Sequence, residues 1–160
     1  VATIQKKIIL GIDPGIADTG VGIIEVSGGK ISCLHYESLR TKSSLPLSVR
    51  LNDLHRQLEQ VILSYKPHIA AIEQLFFCNN AKTAIVVGQA RGVAVLALSQ
   101  KSIPTYEFTP LQVKQAVSTY GKADKAQVQR MVKLLLGLAE IPKPDDAADA
   151  LAIAICAANE

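Results

Sequence analysis

Apolar positions along the chain change period several times, and each change marks an element. Ile8-Ile9-Leu10-Gly11-Ile12 is a continuous apolar run closed by Asp13-Pro14-Gly15, which predicts a strand buried on both faces and then a turn. Thr19 to Val26 predicts a second strand. Ser27-Gly28-Gly29 predicts a hairpin turn into a third strand from Lys30 to about Arg40. After a loop from Thr41 to Pro46, Leu47, Leu51, Leu54, Leu58, Val61 and Tyr65 repeat at helical spacing, up to a stop at Pro67. Ile69-Ala70-Ala71-Ile72-Glu73 is another apolar strand, and it ends on an acid. Leu75 to Asn80 reads as a loop and Ala81 to Gln100 as a long helix, in which Gly88 and Gly92 share a face that would admit a close neighbour.

Ile103 to Phe108 predicts a fifth strand with Pro104 at its start or on an edge. Thr109-Pro110-Leu111-Gln112 and Asp124-Lys125-Ala126-Gln127 both have capping-box form, so each opens a helix, and Gly121 and Gly137 are placed to follow the ends of those helices. A final helix runs from Asp145 to Cys156 after Pro142 and Pro144. The expected fold is α/β: a mixed five-stranded sheet, an antiparallel meander joined to parallel strands, flanked by helices. No linker interrupts it, so residues 1–160 are expected to form one domain.

The last helix is apolar on every side from Leu151 onward, which predicts burial, yet Asp145, Asp146 and Asp149 crowd its first turns. Acids at a helix N-terminus have an ordinary use, since they interact with the dipole and cap free amides. One dipole does not call for three of them, and clustered carboxylates repel unless a cation or shared protons relieve them. Asp13 and Glu73 each terminate an apolar strand, and strand C-termini in open sheets gather at the crevice where ligands bind. Taken singly, Asp13 also fits turn chemistry before Pro-Gly and Glu73 a solvated strand end. If their strands are parallel neighbours and the last helix starts at the same edge, Asp13, Glu73, Asp146 and Asp149 meet. Four carboxylates form a hard-oxygen set suited to Mg²⁺ or Mn²⁺ and poor for zinc. Two such ions, roughly 3.5–4 Å apart, would suit in-line displacement at phosphorus.

Composition narrows the partner. The net charge of +3 says little, but if four acids are withdrawn into a metal site, 17 Lys and Arg face 10 acids. A basic body around an acidic pocket suits a polyanion. Lys114, Lys122, Lys125, Arg130 and Lys133 crowd the two helices after the fifth strand, and read either as a solvated face or as a phosphate-contacting surface. Phe76 and Phe77 directly follow the Glu73 region in a chain with only 4% aromatics, which invites base stacking as well as core packing. His35, His55 and His68 have no metal-ligand spacing, and Gly20 and Gly22 alone do not make a dinucleotide fingerprint. Cys33, Cys78 and Cys156 are expected to be free thiols in a reducing cytoplasm. No uncharged apolar run reaches membrane-spanning length, and no membrane association is expected.

Five stretches in order resemble one family: Ile-Leu-Gly-Ile-Asp13-Pro-Gly, Ala-Ile-Glu73-Gln-Leu-Phe76, Gly88-Gln-Ala-Arg-Gly92-Val, Gln112-Val-Lys114-Gln and Asp146-Ala-Ala-Asp149-Ala-Leu-Ala-Ile. Together they look like the bacterial RuvC Holliday-junction resolvases, from about Ile8 to Ala157. The resemblance implies a ribonuclease-H-like fold and a homodimer that nicks opposing strands of a four-way DNA junction with Mg²⁺, served by a branch-migration motor complex (RuvA and RuvB). It makes Asp13, Glu73, Asp146 and Asp149 the catalytic, metal-binding acids. Phe76 would stack on or unpair bases at the crossover, and Lys114 and Lys125 would lie near the scissile phosphate. Asp145 has no place in the motif, and Asn79 stands where some relatives carry a basic residue. Other readings are a same-fold nuclease acting on flaps or RNA hybrids, a junction-binding module without catalysis, and an actin-like ATPase. Length argues against the ATPase, because that architecture places its nucleotide between two such domains.

Overall fold

The computed structural model describes residues 5–74, 80–118 and 121–160. Strands β1 (Lys7–Asp13), β2 (Asp18–Ser27) and β3 (Lys30–Arg40) form the antiparallel meander. Helix α1 (Leu47–Tyr65), strand β4 (Ile69–Glu73), helix α2 (Ala81–Gln100) and strand β5 (Thr105–Phe108) follow, then helices α3 (Pro110–Ser118), α4 (Lys125–Leu136) and α5 (Asp145–Cys156). The sheet order is β3-β2-β1-β4-β5, with β1, β4 and β5 parallel. With helices on both faces, this is the expected ribonuclease-H-like α/β arrangement.

Strand alternation divides the core. On one face Leu10, Ile12, Val21, Ile23, Ala70 and Ile72 pack against α1 and α2. On the other, Ile9, Ile24, Ile69 and Ala71 meet α3, α4 and α5. Glycines make the second face unusual. Gly11 pairs with Gly22 and Gly20 with Asp13 across the β1–β2 ladder, so all four residues point to the same side. A Cβ on Gly20 would overlap the Asp146 carbonyl oxygen, one on Gly11 the Ala150 carbonyl oxygen, and one on Gly22 the Leu151 backbone. Helix α5 therefore lies backbone to backbone on the sheet, which only glycine permits. Gly20 and Gly22 prove to be notches for a helix.

The turn chemistry works as the sequence predicts. Gly28 and Gly29 both take positive φ, as a two-residue type I′ hairpin requires. Both capping boxes are present: Thr109 and Gln112 exchange side-chain-to-backbone hydrogen bonds, as do Asp124 and Gln127. Gly137 caps α4 in the left-handed conformation. Gly121 lies tight against α3, where a Cβ would strike Leu111. Strand β5 starts at Thr105 rather than Ile103, because Pro104 has no N–H to donate, although its carbonyl still accepts from Ala70.

Helix α2 is long and apolar enough by length and composition to cross a membrane. It carries Lys82 and Arg91, the Arg91 guanidinium pairs with Glu107 of β5 at 2.5 Å, and Ala90, Ala94, Ala97 and Leu98 are buried against the sheet and α1. Among the described residues, Gly92 has no neighbour within reach of an added Cβ. His35 stacks on Tyr65, His55 bonds Gln100 and His68 accepts the Ile8 amide, which are structural uses. Cys33 and Cys156 are free thiols; Cys78 lies outside the described residues.

Candidate metal centre

Parallel pairing of Ile12 with Ile72 puts the next residues, Asp13 and Glu73, side by side at the C-terminal edge of the sheet. A buried Thr19 hydroxyl fixes the turn after Asp13, donating to the Gly15 carbonyl at 2.5 Å. Helix α5 begins over the same edge because Gly20 lets the Asp146 backbone rest on β2. One turn of helix then aims Asp146 and Asp149 the same way. Asp13, Asp146 and Asp149 each offer a carboxylate oxygen within 4.8 Å of the others. Glu73 stands beside this trio. It lines a cavity of about 220 Å³ together with Asp149, Lys114, Lys125, Val113 and Val128. The four acids predicted from the sequence thus meet at one edge, with Asp149 facing both the trio and Glu73.

Burial and mutual repulsion disturb all four. Asp13 is pushed up to about 8, first by burial, then by Asp149, Asp146 and Glu73. Burial also raises Glu73, with Asp149 adding to it and the Lys114 ammonium opposing. Asp146 is raised by burial and by Asp18, and Asp149 by burial against the pull of Lys125. Asp18 is itself held by Ser38 Oγ at 3.0 Å and Arg40 Nε at 2.9 Å. Nearby lysines only partly relieve this concentration of acid, and among the described residues neither His nor Cys belongs to the group. The donor set fits a hard divalent cation better than any alternative.

Asp145 and Asp146 sit in the first turn, where the dipole favours them, but the capping use of the helix-start acids is not realised. Helix α5 is capped by Pro144, with no side-chain hydrogen bond to its amides. Lys114 and Lys125 both reach the acids, as expected, and Lys125 Nζ lies 3.6 Å from Asp149 Oδ2. The remaining basic residues do not join them. Lys122 and Arg130 line a separate cavity of about 430 Å³, and Lys133 lines a third with Lys143 and Glu140. Lys122 precedes α4, and on α4 itself Arg130 and Lys133 line different cavities, so the five cations are spread over three cavities. Phe76 and Phe77 lie outside the described residues. Asp18 and Arg40 had no sequence signal, because their link to Asp146 exists only once β2, β3 and α5 meet.

Residues 9–157 match the family model for the crossover junction endodeoxyribonuclease RuvC. The chain belongs to the RuvC family. A RuvC from Desulforamulus reducens is 58% identical over 152 residues, covering 95% of this chain and 93% of the relative. One from Caldicellulosiruptor saccharolyticus is 56% identical over 149 residues, covering 92% and 90%. Among solved structures, T. thermophilus RuvC in complex with Holliday junction substrate superposes with a TM-score of 0.89 at 38% identity, covering 94% of this chain and 92% of that one. The RuvC match includes all of the sheet but the first two residues of β1, together with α5, the four acids, Lys114 and Lys125.

Proposed function

We propose that this protein is a metal-dependent endonuclease that resolves Holliday junctions by paired nicks, leaving 5′-phosphate and 3′-hydroxyl ends, in homologous recombination and DNA repair. The observation that carries the reading is the convergence of Asp13, Asp146 and Asp149, with Glu73 beside them, at one sheet edge of a RuvC-family chain. T. thermophilus RuvC, whose structure holds a Holliday junction substrate, supports the choice of DNA.

The four acids hold Mg²⁺, with Mn²⁺ able to substitute, in a pair. When bound, such ions activate water as nucleophile and stabilise the attacking and leaving oxygens at phosphorus. Asp13, the most buried and most proton-retaining of the four, anchors the site to the sheet. Lys114 and Lys125 face the phosphate from α3 and the start of α4 and offset charge developing there. Phe76 keeps the stacking role that the family likeness gives it. The enzyme works in the cytoplasm.

Paired nicks need two sites facing a two-fold junction, hence a homodimer. Helix α2 supports this, because Ile85 (63% exposed), Gly92 and Leu96 (51% exposed) share one uncovered apolar face. Ile85→Asp is expected to convert the dimer to monomers in light scattering and to replace paired nicks by isolated ones. A branch-migration motor complex (RuvA and RuvB) would deliver the junction.

The direct test is a synthetic mobile four-way junction incubated with and without Mg²⁺ and resolved on a denaturing gel, beside a flap and an RNA–DNA hybrid. Symmetric nicks in the junction alone, and only with metal, are expected. Intact junction under every metal condition would overturn the reading, and preferential cleavage of the flap or hybrid would reassign the substrate.

A further inference from the structure

Asp145 precedes Asp146 at the start of α5 but stays outside the acid cluster. Its two oxygens are both engaged by α4: Oδ1 accepts from Gln129 Nε2 at 3.1 Å, and Oδ2 pairs with Lys125 Nζ at 3.3 Å. Lys125 and Gln129 are four residues apart on α4, and Asp145 and Asp149 four apart on α5, so each pair shares one helix face and the two faces meet. Lys125 Nζ sits between Asp145 and Asp149.

That arrangement has a weakness on one side only. A lysine ammonium is a point charge on a long flexible stem, and a single carboxylate does not fix its direction. A divalent cation held by Asp149 would withdraw that carboxylate's charge from Lys125 and also repel the ammonium. Asp145 is outside the cluster, so it keeps its full charge, and Gln129 keeps its carboxylate turned towards Lys125.

We infer that Asp145 is a positioning residue for Lys125, holding its ammonium at the rim of the acid cluster where the phosphate arrives. This rests on the nuclease reading above. Asp145 is not among the clustered carboxylates, and its positioning role runs through Lys125.

The test combines two readouts. In metal-free protein, acylation of Lys125 by an amine-reactive ester, followed by mass spectrometry, is expected to be about threefold faster in Asp145→Ala, with Lys133 unchanged as internal control. In junction cleavage with Mg²⁺, Asp145→Ala is expected to lower kcat by about fivefold at unchanged KM and melting temperature, with Asp145→Glu recovering most of it. In a Lys125→Ala background, Asp145→Ala is expected to cause no further loss. Unchanged labelling, an unchanged kcat, or an undiminished loss in the Lys125→Ala background would each overturn the positioning role. A wild-type protein that leaves junctions intact would instead defeat the nuclease reading, while the labelling result still decides whether Asp145 holds Lys125.

Discussion

The two faces of the sheet are built on different rules. Towards α1 and α2, large aliphatics interlock: Leu10, Ile12, Ile23, Leu54 and Leu58 are all fully buried. Each such side chain contributes about 1.5–3 kcal/mol on burial, so this face carries much of the stability. Towards α5, Gly11, Gly20 and Gly22 remove side chains from the interface, and Ala147, Ala150 and Ala154 lie against Gly20 and Gly11. Apolar area is gained there too, because Leu151, Ile153 and Ile155 of α5 are buried in the same layer. The helix backbone is also brought close, and with it two carboxylates beside a third. Both faces stabilise the molecule by packing, but only the face towards α5 also places charge where it is electrostatically unfavourable.

Asp13→Asn tests that division most severely. It is expected to reduce junction nicking by on the order of a thousandfold in single-turnover assays, with junction binding retained in a gel-shift assay. At pH 9 the metal-free variant should also melt higher than wild type, because the charge removed was held unfavourably. A variant that nicks at the wild-type rate would show that the acids do not form the working centre.

Next in size is a matched pair of substitutions, one on each face. Gly20→Ala forces a Cβ into the Asp146 carbonyl and must lift the start of α5, with an expected cost of about 3 kcal/mol in urea unfolding and a loss of most cleavage. Leu54→Ala leaves a cavity on the far face and is expected to cost about 2–5 kcal/mol while kcat stays near wild type at a temperature where the protein is folded. Equal effects of the two on kcat would mean that helix placement and bulk packing are not separable.

Much of this contrast was legible in the residues. Apolar runs ending on Asp13 and Glu73 announced both strands and the acids at their ends, and the two capping boxes announced α3 and α4, because these signals are local. The glycine notches were not legible. Gly11, Gly20 and Gly22 have meaning only through pairing across β1 and β2 and through a helix more than a hundred residues later in the chain. The same limit hid the role of Asp145, whose partners Lys125 and Gln129 lie on another helix, and it left open whether Lys122, Arg130 and Lys133 join Lys114 and Lys125, which they do not: they line two other cavities.

The smallest expected effect separates the faces by pH alone. In metal-free protein Asp13, Glu73, Asp146 and Asp149 all have folded-state values above their ordinary ones, Asp13 at about 8. The folded state therefore binds more protons than the unfolded state over the intervening range, so stability falls as pH rises. For Asp13 the contribution is complete below its ordinary value of 3.8 and is lost as pH passes about 8. Calorimetry in EDTA between pH 6 and 9 should record a decline of roughly 2–3 kcal/mol, or about 2–4 °C for each kcal/mol. Saturating Mg²⁺ should flatten the curve, since it favours the charged carboxylates, and Asp13→Asn should flatten it in part without metal. Leu54→Ala, acting on the uncharged face, should lower the whole curve and leave its slope alone. A melting temperature in EDTA that does not change over this range would mean that the repulsion inferred among the acids is relieved within the protein itself.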